Sequence, residues 1–314
     1  MYRFDILVVG ELNVDLILNH LPSLPMEGKE ILADEMTLTL GSSSAIFASN
    51  AAVLGNKVAF LGKTGTDSFG DLVVKSLEAK KVDTGHIIKS STEKTGATIV
   101  LNYGEDRAMV TYPGAMETIT VNDIHDDVLL KARHMHVSSI YLQPGIKKEV
   151  VKLFERAKNL GLTTSLDMQW DPEEKWDIEV EKLLPLVDVF LPNETELLAL
   201  TKTKQLDKAI NKVKPYVNML AIKRGNKGSR GIYKHEDVSV EPFLNKQVID
   251  AIGAGDSFNA GFITKYLSGE TLESCLKYGN LTGAVNTTAA GGTGAFDSLK
   301  DFRNTARKTF GINI

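Results

Sequence analysis

The segment Val248-Ile249-Asp250-Ala251-Ile252-Gly253-Ala254-Gly255-Asp256-Ser257-Phe258 sets two glycines and a carboxylate just ahead of an apolar run, Ser257 to Leu267. Gly253 and Gly255 permit backbone angles and close approaches that other residues forbid. At a helix start such glycines leave N–H groups pointing outward, and the helix dipole makes the place attractive to anions. A carboxylate there repels phosphate, so a pure phosphate binder gains nothing from Asp256. It makes chemical sense as the base facing a hydroxyl that attacks the phosphate. A bland account competes, because the dipole alone favours Asp in a first helical turn.

Other patterns fail on spacing. Gly62-Lys63-Thr64 imitates the end of a P-loop, but the glycine required five residues earlier is Lys57. Gly253 and Gly255 imitate a dinucleotide fingerprint, but its third glycine position is Phe258. His134 and His136 share one strand face without a third ligand nearby, so they read as packing residues and not as a metal site. Cys275 is the single cysteine, which excludes an internal disulfide and fits a reducing compartment. It reads as a small apolar residue on a helix.

The elements that must position these groups follow from periodicity. Asp5 to Val9 runs apolar into Gly10, as a strand buried on both faces does. A helix fits Ser44 to Leu54, stopped by Gly55, then a strand Lys57 to Leu61 and a helix Phe69 to Lys80. Further strands are expected near 135–138, 163–166, 187–191 and 219–223, with helices at 147–159, 179–184 and 194–201 between them. Such alternation implies a mostly parallel central sheet with helices on both faces. Two stretches break the rhythm: a near-alternating strand within 30–40, and a hairpin from Thr95 to Tyr112 turning at Gly104-Glu105-Asp106-Arg107. With no helices between them, they are expected to form a small separate sheet, a lid over the main body.

The chain has 314 residues, 43% hydrophobic and 24% charged, with a formal net charge of -4. That is enough to bury a sizeable core, and it offers no basic field to nucleic acid. The N-terminus lacks the charged and apolar regions of a signal peptide. No uncharged stretch approaches the ~20 residues that span a bilayer. A cytoplasmic protein without membrane or nucleic-acid partners is expected.

At Asp250-Ala251-Ile252-Gly253-Ala254-Gly255-Asp256 the sequence resembles the closing signature of the ribokinase-like (PfkB) family of carbohydrate kinases. Other landmarks occur in family order: Gly10-Glu11-Leu12-Asn13-Val14-Asp15, the signature Gly41 to Gly55, Asn193-Glu194-Thr195-Glu196, Lys223 to Gly228, and Ala289 to Ser298. The resemblance implies one ribokinase-like domain over 1–314, with lid strands inserted at about 11–40 and 95–113. It implies transfer of the γ-phosphoryl of ATP to a hydroxyl of a monosaccharide or sugar acid. Asp256 would be the base, and the N–H groups of Gly253, Ala254, Gly255 and Asp256 the anion hole. Asn13, Asp15, Gly41, Ser42 and Ile46 would meet the sugar, and Arg107 would close over it. Asn193 and Glu196 would organise Mg²⁺ and its waters, with Glu194 solvated. Lys223, Gly225 and Gly228 would meet the nucleotide. Asp250, Ile252, Ala289, Gly292, Gly294 and Ser298 would cage a monovalent cation such as K⁺. Asp167-Met168-Gln169-Trp170-Asp171 resembles an Asp-x-Asn-x-Arg segment, with Gln and Asp as replacements and Asp167 near the phosphate.

The chain departs from the family at Ser42, where a second glycine is usual, and at Ile46, where an Asn binds sugar hydroxyls. A buried hydroxyl facing Ile46 would lose its partner at ~1–3 kcal/mol. The acceptor therefore differs from ribose or turns an apolar face there. A nucleoside kinase of the same fold and a catalytically silent sugar- or nucleotide-binding regulator are the competing functions. Apolar sets on the lid, Leu38/Leu40 or Ile99/Leu101, suggest a homodimer through its outer face.

Overall fold

The computed structural model describes residues 2–103 and 106–314. Its strands are β1 Phe4–Val9, β2 Asn13–Asn19, β3 Glu35–Leu40, β4 Val58–Leu61, β5 Lys63–Gly65, β6 Ile88–Ser90 and β7 Gly96–Tyr103. They continue with β8 Asp106–Tyr112, β9 Ala132–Ser138, β10 Thr163–Asp167, β11 Val189–Phe190, β12 Met219–Lys223, β13 Ser229–Tyr233 and β14 Glu236–Val240. The main sheet runs β14-β13-β12-β11-β10-β9-β1-β4. From β12 to β4 every pairing is parallel, and β13 and β14 add an antiparallel edge.

Strand alternation divides the core into two layers. Leu7, Val9, Met135, Val137 and Ile222 pack with Leu153, Phe154, Leu197 and Ile210 on one face. Ile6, Val8, Phe60 and Ala221 pack with Phe47, Ala48, Phe258 and Phe262 on the other. Because both faces are covered, the strands read as continuous apolar runs. The two central histidines take part in this packing. His134 bonds Thr163 and Ser165, while His136 bonds Ser165 and stacks on Phe47.

A second sheet, β3-β2-β7-β8, stands apart from the first. Strand β2 lies within the 11–40 stretch where lid strands were expected, although Asn13, Asp15 and Asn19 are poor strand formers. Its register with both neighbours supplies the reason it forms: Asp15 faces Thr39 and Thr98, while Leu16 faces Leu38 and Ile99. The strand expected within 30–40 begins only at Glu35. Asn13 and Asp15 thus sit on a strand of the small sheet, and not on a turn closing β1. The β13–β14 hairpin was missed, because its strands carry Arg230, Glu236 and Asp237 on an exposed edge.

Candidate active site

The carboxyl ends of β9 to β12 meet the start of the helix Ala254–Leu267. Gly253 precedes that helix with φ of 74°. A Cβ there would lie 2.6 Å from Gly292 Cα and 3.1 Å from Ile46 Cγ2, so angle and space both require glycine. Ile46 therefore packs beneath this turn. The Ala254 amide donates to the Ala251 carbonyl at 3.3 Å, which removes it from the expected anion hole. The Gly255 and Asp256 amides have no backbone acceptor among the described residues and remain available to an anion.

Asp256 is buried at 7% exposure, and its Oδ1 accepts a hydrogen bond from Gln169 Nε2 at 2.9 Å. Burial, and then the charge of Asp167, push its carboxyl up to about 8, against the pull of Lys223. The same Gln169 amide reaches Asp167 Oδ2 at 3.1 Å. Asp167, fully buried at the end of β10, also receives Lys223 Nζ at 2.5 Å and Asn259 Nδ2 at 2.5 Å. Lys223 is not a solvated strand end, since 10% of its side chain is exposed. Burial opposes its charge, but Asp167 and Glu196 outweigh that and raise its pKa. A Cβ on Gly255 would lie 3.7 Å from Lys223 Nζ, so the ammonium flanks the helix start.

Asn193 and Glu196 cap the helix Glu194–Leu200 reciprocally. The Asn193 side chain accepts from the Glu196 amide, and Glu196 accepts from the Asn193 amide at 2.9 Å. Burial, then the charge of Asp167, raise the Glu196 carboxyl above its ordinary range. Glu194 is paired, against expectation, with Arg224 at 3.0 Å. After β12 the chain turns at Gly225 (φ 53°) and Gly228 (φ 76°), and a Cβ on Gly228 would strike the Val240 carbonyl at 2.0 Å. These groups line a cleft of about 550 Å³, with Phe243, Asn245, Asn280, Gly283, Ala284 and Thr287 on its far wall.

A nucleotide fits that cleft by its chemistry: free amides at a helix start, Lys223 beside them, and an aromatic and small-residue wall. A divalent cation fits Glu196, whose buried carboxyl is crowded by Asp167. Among the described residues no three His, Cys, Asp or Glu side chains converge to hold a metal. Magnesium would then take its remaining ligands from phosphate and water.

Among the residues expected to cage a monovalent cation, Asp250 and the Ile252 and Gly292 carbonyls have hydrogen-bond partners within the protein. Asp250 Oδ1 accepts from the Ile252 amide and Oδ2 from the Gly291 amide, each at 2.8 Å. The Ile252 carbonyl accepts from Asn286 Nδ2, and the Gly292 carbonyl from Asn50 Nδ2. Ser298 caps the helix Leu299–Phe310 and lines a separate crevice with Arg3 and Lys80. Ala289 and Gly294 lie in the intervening turns, where the Gly294 amide donates to Gly291.

The residues expected to meet a sugar gather around the start of β2. Asn13 Nδ2 donates to Asp15 Oδ1 at 2.9 Å and to Thr98 Oγ1 at 3.1 Å. Burial raises the Asp15 carboxyl to about 6; the Asn13 hydrogen bond opposes this, and the charges of Glu11 and Asp250 add to it. A Cβ on Gly41 would collide with Asp15 Oδ1 at 2.2 Å, so glycine is required to bring the two segments together. The Ser42 hydroxyl is committed to the protein. It donates to the Glu11 carbonyl at 2.6 Å and accepts from the Ala45 amide, capping the helix Ser43–Val53. The side chain of Arg107 falls outside the described residues; its backbone pairs with Asn102 in the β7–β8 hairpin.

Sequence reasoning named Gln169 and Glu11 without giving either a role, and passed over Asn259. Gln169 had a signal in its place two residues after Asp167. Asn259 had none, since a mid-helix Asn reads as neutral. Glu11 stood inside a quoted motif, but only the fold reveals that it is buried.

A mostly parallel sheet with a detached small sheet, and a glycine-rich helix start opposite it, is the ribokinase fold. A structure from E. coli that carries ATP and Mg²⁺ superposes with a TM-score of 0.85 over 97% of this chain and 99% of that one, at 24% identity. The chain belongs to the pfkB family of carbohydrate kinases, whose model matches residues 3–298, and it is a phosphotransferase acting on an alcohol group. It is 27% identical to a Haemophilus influenzae ribokinase, covering 92% of this chain and 94% of that protein. It is also 27% identical to a Geobacillus thermodenitrificans 5-dehydro-2-deoxygluconokinase, covering 90% and 86%. No described helix is long and apolar enough to cross a membrane.

Proposed function

We propose that the protein transfers the γ-phosphoryl group of ATP to a hydroxyl of a monosaccharide-like acceptor, with Asp256 as general base. The observation that carries this is the buried carboxyl of Asp256, raised to about 8, at the start of the helix Ala254–Leu267. A base poised near neutral pH can take a proton and give it up again. Asp256 draws the proton from the acceptor hydroxyl as that oxygen attacks in line. The Gly255 and Asp256 amides and Lys223 face the charge spread over the transferring group. Asn13 and Asp15 hold vicinal hydroxyls, with Gly41 allowing the close approach. Asn193 and Glu196 would hold Mg²⁺, which when bound would neutralise phosphate charge. The Gly225–Gly228 turn receives the nucleotide, and no step is assigned to a monovalent cation.

The small sheet acts as a lid. Thr39, Asp15, Thr98 and Thr111 fall in register across it. The row Leu38, Leu16, Ile99 and Val110 falls on the opposite face, with Leu38, Ile99 and Val110 exposed. That apolar row suits a second copy of the chain. Leu40, named in the sequence reading, is buried and takes no part. Light scattering at micromolar concentration should give the mass of a dimer, and a monomer there counts against the pairing.

The kinase reading is tested by coupling ADP release to a colour readout over sugars, sugar acids and nucleosides. Asp256→Asn should lower kcat by ~10²–10⁴. Near-wild-type turnover in that variant would remove Asp256 from the mechanism.

A further inference from the structure

Asn50 is fully buried in the helix Ser43–Val53, whose other buried residues include Phe47, Ala48 and Ala51. An amide is costly to bury there, and its Oδ1 has no partner among the described residues. Its side chain makes two donations instead, both across the molecule. Nδ2 reaches Ser257 Oγ at 2.8 Å and the Gly292 carbonyl at 2.9 Å. Ser257 Oγ in turn donates to Asn286 Oδ1 at 2.9 Å, and Asn286 Nδ2 donates to the Ile252 carbonyl at 2.6 Å. Ser257 and Asn286 are as fully buried as Asn50.

The two carbonyls fix the directions in this chain. A carbonyl oxygen only accepts, so Gly292 requires the NH₂ group of Asn50, and Ile252 requires that of Asn286. Flipping either amide would set oxygen against oxygen. Asn286 Oδ1 therefore takes the single proton of Ser257, and Ser257 accepts from Asn50. Ile252 and Ser257 are the residues on either side of Gly253-Ala254-Gly255-Asp256. Gly292 backs the same turn, its Cα 2.6 Å from where a Cβ on Gly253 would stand. Ile46, one helical turn before Asn50, fills the space beneath both glycines. Both ends of the turn and its backing are thus tied to the helix Ser43–Val53 and to the end of the helix Leu272–Asn286.

We infer that Asn50, acting with Ser257 and Asn286, is a positioning residue for phosphoryl transfer, holding the Gly255 and Asp256 amides and the Asp256 carboxyl where the transferring group is met. This deepens the reading of Asp256 as base and rests on it. None of the three side chains lines the nucleotide cleft, so their effect belongs to the chemical step and not to binding. A misplacement of about 1 Å caused by a residue away from the chemistry can cost about 10²-fold.

The test is steady-state turnover well below the Tm, on the best acceptor among the sugars, sugar acids and nucleosides, with Tm measured alongside. Asn50→Leu keeps the volume, removes both donations and removes the unpartnered oxygen. Its kcat should fall about tenfold or more, with KM for ATP and for the acceptor within about twofold of wild type. A merely structural role would lower Tm and leave kcat intact. That result overturns the inference, as does a loss confined to KM. Should Asn50→Leu fail to fold, Ser257→Ala makes a smaller cut in the same chain and should also lower kcat. Ser257→Thr, which returns a hydroxyl, should recover most of that loss. The double variant Asn50→Leu/Ser257→Ala should be no slower than the slower single variant, because both break one chain. Losses that multiply count against the chain. Asp256→Asn separates the two readings. If that variant matches the wild type, or the wild type is silent on every acceptor, base and clamp fall together. If it is slow while Asn50→Leu is not, only the clamp falls.

Discussion

The two halves of the site treat buried carboxylates in opposite ways. On the nucleotide side Asp167 is matched by the Lys223 ammonium at 2.5 Å, with Asn259 and Gln169 filling its remaining capacity. On the proposed acceptor side Glu11 and Asp15 are answered, among the described residues, only by hydroxyls and amides, and the carboxyl of each is raised, chiefly by burial. A cation beside free amides suits a ligand that brings negative charge. Hydroxyls and carboxyls without a cation suit a ligand that brings hydrogen-bond donors. Asp256 feels both: burial and the charge of Asp167 raise its pKa most, Lys223 lowers it, and Glu11 and Glu196 add smaller upward pushes.

Removing Asp256's charge breaks the comparison at its centre, and the loss of ~10²–10⁴ in kcat for Asp256→Asn is the largest effect expected. Next, Lys223→Met strips the nucleotide side of its compensation. It leaves Asp167 buried and unpaired, which should cost about 3–5 kcal/mol in urea unfolding. Pairing it with Asp167→Asn should recover much of that loss; failure to recover would show that the ammonium matters for packing and not for charge.

A smaller effect is expected at Gln169. Its amide donates to Asp256 Oδ1 and so favours the ionised base. Gln169→Ala should move the limb of the kcat/KM profile governed by Asp256 to higher pH, and Gln169→Asn should move it less. A profile that keeps its position would mean the amide does not act on the base.

A further test concerns stability against pH. Asp256 titrates near 8 in the fold and near 4 when unfolded, so the folded state holds its proton more tightly. This favours folding fully below pH 4 and is lost as pH rises through 8. The wild type should therefore lose Tm relative to Asp256→Asn between pH 5 and pH 9. Parallel Tm curves over that window would place the Asp256 carboxyl in its ordinary range.

Much of the phosphoryl half was legible from one dimension. A glycine that needs a positive φ and an Asp at a helix start are local requirements, so Gly253 and Asp256 carry their signal in adjacent residues. Asn193 and Glu196 likewise form a capping box within four positions. The acceptor half was less legible. Strand β2 exists because β3 and β7 flank it, which outweighs the weak propensity of Asn13 and Asp15. Ser42 and Ile46 read as sugar contacts, but one caps a helix and the other packs under the 253 turn.

The start of the helix Ala254–Leu267 was thus set by the sequence alone, since glycine angles, dipole and apolar run are all properties of neighbours in the chain. The sequence also determined the parallel sheet, because strands buried on both faces must be apolar throughout. Tertiary structure alone decided what surrounds Asp256. Gln169 reaches it across 87 positions, and Lys223 meets Asp167 across 56. It also brought Asn50 to Ser257, 207 positions away. A carboxyl's pKa and a hydroxyl's direction depend on burial and on partners within a few ångströms, and those neighbours are supplied by the fold.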